Sequence, residues 1–303
     1  MGLSINIKEI SKYRITILRF IVQTISFILI FGGVFGFAAT FIILPIMTPI
    51  GNPYTTVTGA WQLMEIMVTA AIFPFVAIAV ITLGSLLVGR TFCGWVCPFG
   101  YISDIVSFFG EKKRISTKTN QSMSKFAIFV AFFFIFIDFS IGYNQAMGTS
   151  IYNYFGEFSR EPSSIITPTT ILFSMLYWYF RLEKYPKGFN ELGSLLSYPS
   201  VFWFRITVLV LAIGLNLLIP RIWCRYICPL GGVMGIGSKY KLMKIWRDPT
   251  RCDENICGLA CEKACPMGVP ILNYKGHIAD QLCISCGKCI DVCPTNGIYL
   301  KIR

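Results

Sequence analysis

The sequence predicts an α-helical integral membrane domain, four transmembrane helices in two pseudo-symmetric repeats, followed by a small α+β domain built around cysteines. Three observations carry that expectation. The 303 residues are 54% hydrophobic and only 14% charged, where a soluble chain carries about a quarter charged residues, and mean hydropathy is +0.63. One motif occurs twice at an offset of 131 residues. Eight of the twelve cysteines fall in the last 52 residues, in two closely spaced runs.

The spans come first along the chain. A crossing helix needs about 20 apolar residues. Four segments meet that need, at roughly Ile17–Leu44, Leu63–Gly89, Phe126–Met147 and Val201–Ile219. The first is too long for a signal-peptide core and is flanked by Lys8, Lys12, Arg14 and Arg19, so a retained anchor is expected. Ile165–Phe180 is shorter, contains Pro168 and has mixed flanking charge; it is expected to be a re-entrant or interfacial helix.

Charge sets the orientation. The net charge is +12, yet residues 248–303 hold six acidic and six basic residues, so the surplus lies in residues 1–247. Basic residues collect in the N-terminal segment, in 111–125 and in 221–247, whereas the Pro45–Trp61 loop has neither Lys nor Arg. Positive loops stay on the cytoplasmic side, which predicts a multi-pass protein of the cytoplasmic membrane with both termini in the cytoplasm. The basic surplus is then explained by membrane lipid, and no nucleic acid is expected. The turn at Asp248-Pro249-Thr250 divides a membrane domain, 1–247, from a cytoplasmic domain, 248–303.

In that second domain the runs are Cys252-x4-Cys257-x3-Cys261-x3-Cys265-Pro266 and Cys283-x2-Cys286-x2-Cys289-x3-Cys293-Pro294. The latter has the spacing that wraps a [4Fe–4S] cube, the fourth cysteine of each run serving the neighbouring cluster. A bacterial-ferredoxin-like fold with two [4Fe–4S] clusters follows. Cys252, Cys257, Cys261 and Cys293 are expected to hold cluster 1, and Cys283, Cys286, Cys289 and Cys265 cluster 2. A single histidine and long apolar runs speak against zinc sites of mixed ligands and against a disulfide scaffold. The wider x4/x3 spacing leaves the nuclearity of cluster 1 open.

The repeated motif is Gly89-Arg-Thr-Phe-Cys-Gly-Trp-Val-Cys-Pro-Phe-Gly100 and Pro220-Arg-Ile-Trp-Cys-Arg-Tyr-Ile-Cys-Pro-Leu-Gly231. Helical geometry would put Cys93 with Cys97, and Cys224 with Cys228, on one face one turn apart, and the following prolines suit the start of a new helix. Brought together, the four thiols would hold a further iron–sulfur centre, form a dithiol relay, or simply pack; the sequence leaves these open. Arg90 and Arg221 are positive-inside anchors by default, or cofactor-binding groups beside the thiols. Asp138 and Glu65 lie within expected spans, where a charge costs roughly 3 kcal/mol. They are candidate proton acceptors for a quinol, against the alternative that Asp138 snorkels or pairs with Arg205.

Through "FCGWVCPFG", "WCRYICPLG" and the paired cluster runs, the chain resembles the NapH-type membrane quinol dehydrogenases over nearly its full length. The C-terminal part of NosR and the CcoG/RdxA proteins belong to the wider family. The resemblance implies that the chain moves electrons between the quinone/quinol pool and a partner redox protein. Such a partner would be a ferredoxin-like or cytochrome c-type protein, or a terminal reductase or oxidase. Two rivals stand beside it: an assembly or regulatory factor that delivers electrons to a maturing metalloenzyme without a quinol site, and a plain anchor.

Overall fold

The computed structural model describes residues 13–30, 42–47, 57–110, 113, 115–149, 156–175, 200–252 and 254–302. Two of its helices are long and apolar enough to cross a membrane, α6 (Thr117–Ala146) and α7 (Ser200–Leu218). At 1.5 Å per residue, the 30 residues of α6 extend about 45 Å. Its buried residues recur at helical spacing (Ala127, Val130, Ala131, Phe134, Asp138, Ile141), while Phe129, Phe132, Phe136 and Phe139 are each more than 60% exposed. A stripe of bare phenylalanines suits hydrocarbon and would be a liability in water.

Before α6 come α1 (Arg14–Ile30), strands β1 (Ile42–Leu44) and β2 (Val57–Gly59), α2 (Ala60–Thr69), α3 (Phe75–Leu87), α4 (Thr91–Trp95) and α5 (Pro98–Phe109). Two expected spans are corrected here. The helix expected through Leu44 is not continuous to that point, because Ile42–Leu44 is extended and pairs in parallel with Val57–Gly59. Pro45 disfavours helical backbone at the residue before it. The span expected over Leu63–Gly89 is broken between α2 and α3. Ala71 takes a left-handed conformation (φ 60°), and Pro74, with no N–H to donate, precedes the restart.

The other two expectations hold within a few residues, except that α6 begins nine residues early, in the polar stretch from Thr117 to Lys125. Of Ile165–Phe180, the described part is a 3₁₀ turn ending at Ile165 and a π-helical turn over Thr170–Met175; residues 176–180 lie outside the described residues. After α7 come α8 (Ile222–Tyr226), α9 (Pro229–Ile236), β3 (Met243–Arg247), α10 (Glu254–Cys257), α11 (Ala260–Ala264), β4 (Gly276–His277), α12 (Lys288–Asp291) and β5 (Ile298–Ile302). β3 is the central strand of an antiparallel sheet, between β4 and β5. His277 is half-buried in β4 opposite Trp246.

One apolar core joins α1, α2, α3, α6 and α9 through Ile30, Trp61, Ile81, Phe134 and Met234. A second, in the cysteine-rich part, includes Ile245, Met267, Ile278, Ile284 and Ile298, and Cys93 of α4 belongs to it.

Candidate metal centres

The loop carrying Cys283, Cys286 and Cys289 turns tightly because Ser285 and Gly287 adopt left-handed backbone (φ 49° and 76°). Asp280 fixes its start by accepting the Leu282 N–H at 2.8 Å. With Cys265, just past α11, these three cysteines line one small cavity whose other walls include Ile245, Met267, Val269, Ile271, Ile278 and Ile284. The set is the one expected for cluster 2. Thiols are its metal-binding side chains, and the remaining walls are apolar apart from Ser285, so the residues fit a thiolate-ligated iron–sulfur cluster. Burial pushes the Cys265 thiol up to about 12 and that of Cys289 well above its ordinary value. Metal binding therefore has to displace protons.

For the other set, burial raises the Cys261 thiol to about 11, with nearby Cys257, Glu262 and Cys252 adding to the rise. The wide spacing of this run has a local cause. α10 ends at Cys257, and Gly258 and Leu259 (φ 52° and 62°) turn the chain before α11 places Cys261. Arg247 Nη2 donates to Cys252 Sγ at 3.4 Å. Cys293 packs on the core that contains Cys261, and a β-carbon added at Gly297, four residues on, would stand 3.4 Å from the Cys252 backbone nitrogen. Among the described residues, no three Cys, His, Asp or Glu side chains are grouped to hold a single metal ion.

In the repeated motif the expectation of one continuous helix per cysteine pair is corrected. α4 stops at Trp95 and α8 at Tyr226, and Cys97 and Cys228 are extended N-caps (ψ 122° and 113°) of helices that begin at Pro98 and Pro229. A residue before proline avoids helical backbone. Cys97, Cys224 and Cys228 pack in one apolar cluster, while Cys93 packs on the core of the cysteine-rich part. Burial, with Cys93 adding, raises Cys228 to about 12; burial also raises Cys224, with Cys97, Cys228 and Cys93 adding and Arg221 opposing. Cys97 rises to about 11 by burial and its neighbour Cys93.

Arg90 and Arg221 are not surface anchors, being 2% and 0% exposed. Each reaches into the other copy of the motif. Arg90 Nε donates to the Gly231 carbonyl, and Arg221 donates to the carbonyls of Cys93 at 2.8 Å and Gly100 at 3.2 Å. The copies differ at their entrance. Gly89 takes the left-handed turn (φ 61°) in the first; in the second its counterpart is Pro220, whose ring fixes φ, and Arg221 takes the turn instead (φ 56°). Asp104 of α5 holds it there, accepting from Arg221 at 2.9 and 2.6 Å and from Arg19 at 2.8 Å. Nothing in the sequence marked Asp104, the single charged residue of its helix.

The cysteine-rich part docks directly on the first motif. Trp95 Nε1 donates to the Ser285 carbonyl at 3.0 Å, and the fully buried Lys241 donates to Ser285 Oγ at 2.9 Å. Asp291 caps α1, accepting from Thr16 N at 2.8 Å and Thr16 Oγ1 at 2.6 Å. Asn120 of α6 donates to the carbonyls of Met267 and Gly268 at 3.1 and 2.9 Å. Farther off, Glu65 is wholly buried and accepts from Ser163 Oγ at 2.8 Å. Asp138, 1% exposed, faces it electrostatically and accepts no hydrogen bond at either oxygen among the described residues. The snorkelling alternative for Asp138 thereby falls.

A family model described as a 4Fe-4S binding domain matches residues 70–116 and again 201–247, and a 4Fe-4S dicluster domain matches 250–298. The chain is 24% identical over 75% of its length to the ferredoxin-type protein NapH of Escherichia coli (strain K12), covering 67% of that protein. It is similar to the NapH-type proteins in this and in its repeated 4Fe-4S match. YccM of the same organism is 28% identical over 87% of this chain, and the chain spans 62% of it, less than two thirds. The regulatory protein NosR of Stutzerimonas stutzeri is 23% identical over 67% of the chain, which covers 23% of NosR. No solved structure matches the chain. The two matches of the first model carry the same 131-residue offset as the cysteine motif. The chain thus combines 4Fe-4S ferredoxin-type domains with apolar helices long enough for a membrane.

Proposed function

We propose that the chain is a quinol dehydrogenase-type electron-transfer subunit that connects the quinone pool to a partner redox protein. The observation that carries the reading is the seating of the Cys283–Cys289 loop on the first cysteine motif. A β-carbon added at Gly94 would stand 2.5 Å from the Ile284 carbonyl oxygen, so the backbones are in contact there. Cys265, Cys283, Cys286 and Cys289 would hold the cluster nearer the membrane. Cys252, Cys257, Cys261 and Cys293 would hold the outer one, beside the 67% exposed Ile256 where a partner can approach. Once bound, such clusters supply single-electron transfer.

Cys93, Cys97, Cys224 and Cys228 would hold a third centre between the two repeats, with Arg90 and Arg221 offsetting its negative charge. Their reciprocal bonds to Gly231 and Gly100 support a pseudo-two-fold arrangement of four crossing segments. Asp138 and Glu65 would take the protons of quinol, since each is buried and neither has a buried cation bonded to it among the contacts described. Residues 1–247 would form the membrane domain, and 248–303, completed by β3, the two-cluster domain on the cytoplasmic side.

The test is reduction of purified, iron-loaded protein by a quinol analogue. Bleaching of the iron–sulfur absorption by quinol is expected; bleaching by dithionite alone would reject the reading and favour an assembly factor or anchor. Iron counted after Cys93→Ser and Cys224→Ser should fall by one cluster's worth, and unchanged iron would remove the third centre.

A further inference from the structure

A groove of about 1250 Å³ opens where the cysteine-rich part meets the ends of the membrane helices. Its walls include Lys113, Thr117, Arg225, Lys263, Cys265 and Lys288. It lies at the level of a bilayer surface, for Thr117 is the first residue of α6 and Pro220, on the same wall, closely follows the end of α7. The backbone of Lys113 is tied to the end of α7, its N–H donating to Leu218 O at 3.0 Å. Phe108, also lining the groove, is 80% exposed, and Phe109 beside it 78%.

The charges in this groove are unbalanced. Of its two carboxylates, Asp104 is taken up by Arg221 and Arg19, and Glu262 accepts the Leu272 N–H at 3.0 Å. Four cations face them. Arg225 is 4% exposed, and its Nε has no hydrogen-bond partner among the described residues. A buried guanidinium N–H left unpaired is costly, so the site is built for an acceptor that comes from outside. The positive end of α6 opens beside it, where Ser116 makes no side-chain cap.

We propose that this groove binds the phosphate headgroup of an anionic phospholipid, with an acyl chain running along Phe108 and Phe109. The basic wall meets the phosphate, as basic pockets at membrane-helix ends do, and the bare aromatic rim meets hydrocarbon. Because Cys265 lines both this groove and the apolar cysteine cavity, the lipid charge would sit beside a cluster ligand.

The proposal goes beyond electron transfer and is tested without it, by native mass spectrometry of the full iron-loaded chain from nanodiscs mixing phosphatidylglycerol with phosphatidylcholine. Phosphatidylglycerol should be retained over phosphatidylcholine, and each cation removed should weaken retention roughly fivefold. Arg225→Gln tests the buried donor. Lys113→Gln, at an exposed side chain, keeps the test valid if the first variant fails to fold, with unchanged visible absorption as the control. Equal retention of the two lipids, or undiminished phosphatidylglycerol in folded variants, would overturn the proposal. Displacement by millimolar inorganic phosphate would assign the groove to a soluble anion and overturn it too. A change confined to the cluster spectrum, with lipid retention intact, would make Arg225 a charge partner of the cluster instead and equally refute it.

Discussion

Replacing Asp104 with alanine should damage this protein more than any other single change at a carboxylate. The carboxylate bonds Arg221 through both oxygens and Arg19 through one, and the three side chains are 7%, 0% and 4% exposed. Arg19 already has its Nε and Nη1 unpaired. Removing Asp104 strands two buried guanidiniums, and breaking a buried pair costs about 3–5 kcal/mol. That is roughly two to nearly four powers of ten in the folding equilibrium. Arg221 also holds the Cys93 and Gly100 carbonyls, so loss of iron at the motif should accompany loss of stability. The assay is a denaturant titration in detergent followed by visible absorption. The pH dependence has a definite sign. Burial pushes the Asp104 carboxyl up, but the charge and hydrogen bonds of Arg221 and the charge of Arg19 outweigh it and hold it well below the usual carboxylate range. A depressed folded-state value gives stability that is present above the unfolded value of about 3.9 and is lost as pH falls below it. The gap between wild type and Asp104→Ala should therefore stay flat from pH 8 to about 5 and close only in stronger acid. A variant within about 0.5 kcal/mol of wild type, or a gap that shrinks already between pH 8 and 6, would refute the reasoning.

Three further outcomes are expected. Gly94→Ala, whose new methyl meets the Ile284 backbone oxygen at 2.5 Å, should cost about 1–3 kcal/mol of overpacking and slow quinol reduction of the clusters while iron stays bound; an unchanged rate would deny that electrons cross at this contact. Asp138→Asn should cut quinol-linked turnover about a hundredfold and leave dithionite reduction untouched, whereas undiminished turnover removes Asp138 as proton acceptor. His277 is pushed down to about 4, first by burial and then by Lys241 and Lys244. Its neutral form supports the fold above about pH 6.5 and that support is lost on acidification toward 4, so His277→Gln should flatten the loss of visible absorption across that interval.

The C-terminal cysteines could be read from sequence because their arrangement is local. The x2 spacings close a single loop, and only Cys265 has to arrive from elsewhere, which the fourth-cysteine rule anticipates. The arginines could not. A basic residue at the end of an apolar run has the same signature whether it faces headgroups or is buried, and only packing against Gly100 and Gly231 separates the two for Arg221 and Arg90. The break between α2 and α3 was masked for a related reason: hydropathy averages through Ile72, Phe73 and Phe75, and the signal that matters is Pro74 alone. Likewise the C-x3-C count suggested a shared helix face, while Pro98 and Pro229 had already ruled out helical backbone at Cys97 and Cys228.

The docking of the cysteine-rich part bears on how electrons would leave the membrane. A tethered carrier would meet its donor through a mobile, polar contact. Here the loop of Cys283–Cys289 is pinned by Trp95 and Lys241 on one side, by the Asp291 cap on α1 on another, and by the Asn120 bonds to the Met267–Gly268 turn on a third. Asn120 is itself oriented by Tyr226 of the second motif, whose hydroxyl donates to it at 2.7 Å. Both copies of the repeated motif therefore contact the two-cluster part, the first through Gly94 and Trp95 and the second through Tyr226. If Arg90 and Arg221 clamp the two copies to one another, then any shift between the copies is transmitted to the loop that holds the nearer cysteines. The separation between the motif thiols and that loop is then fixed by packed backbone, and a change at Asp104 should be felt first at Cys93, whose carbonyl Arg221 holds, and only afterwards at Cys252.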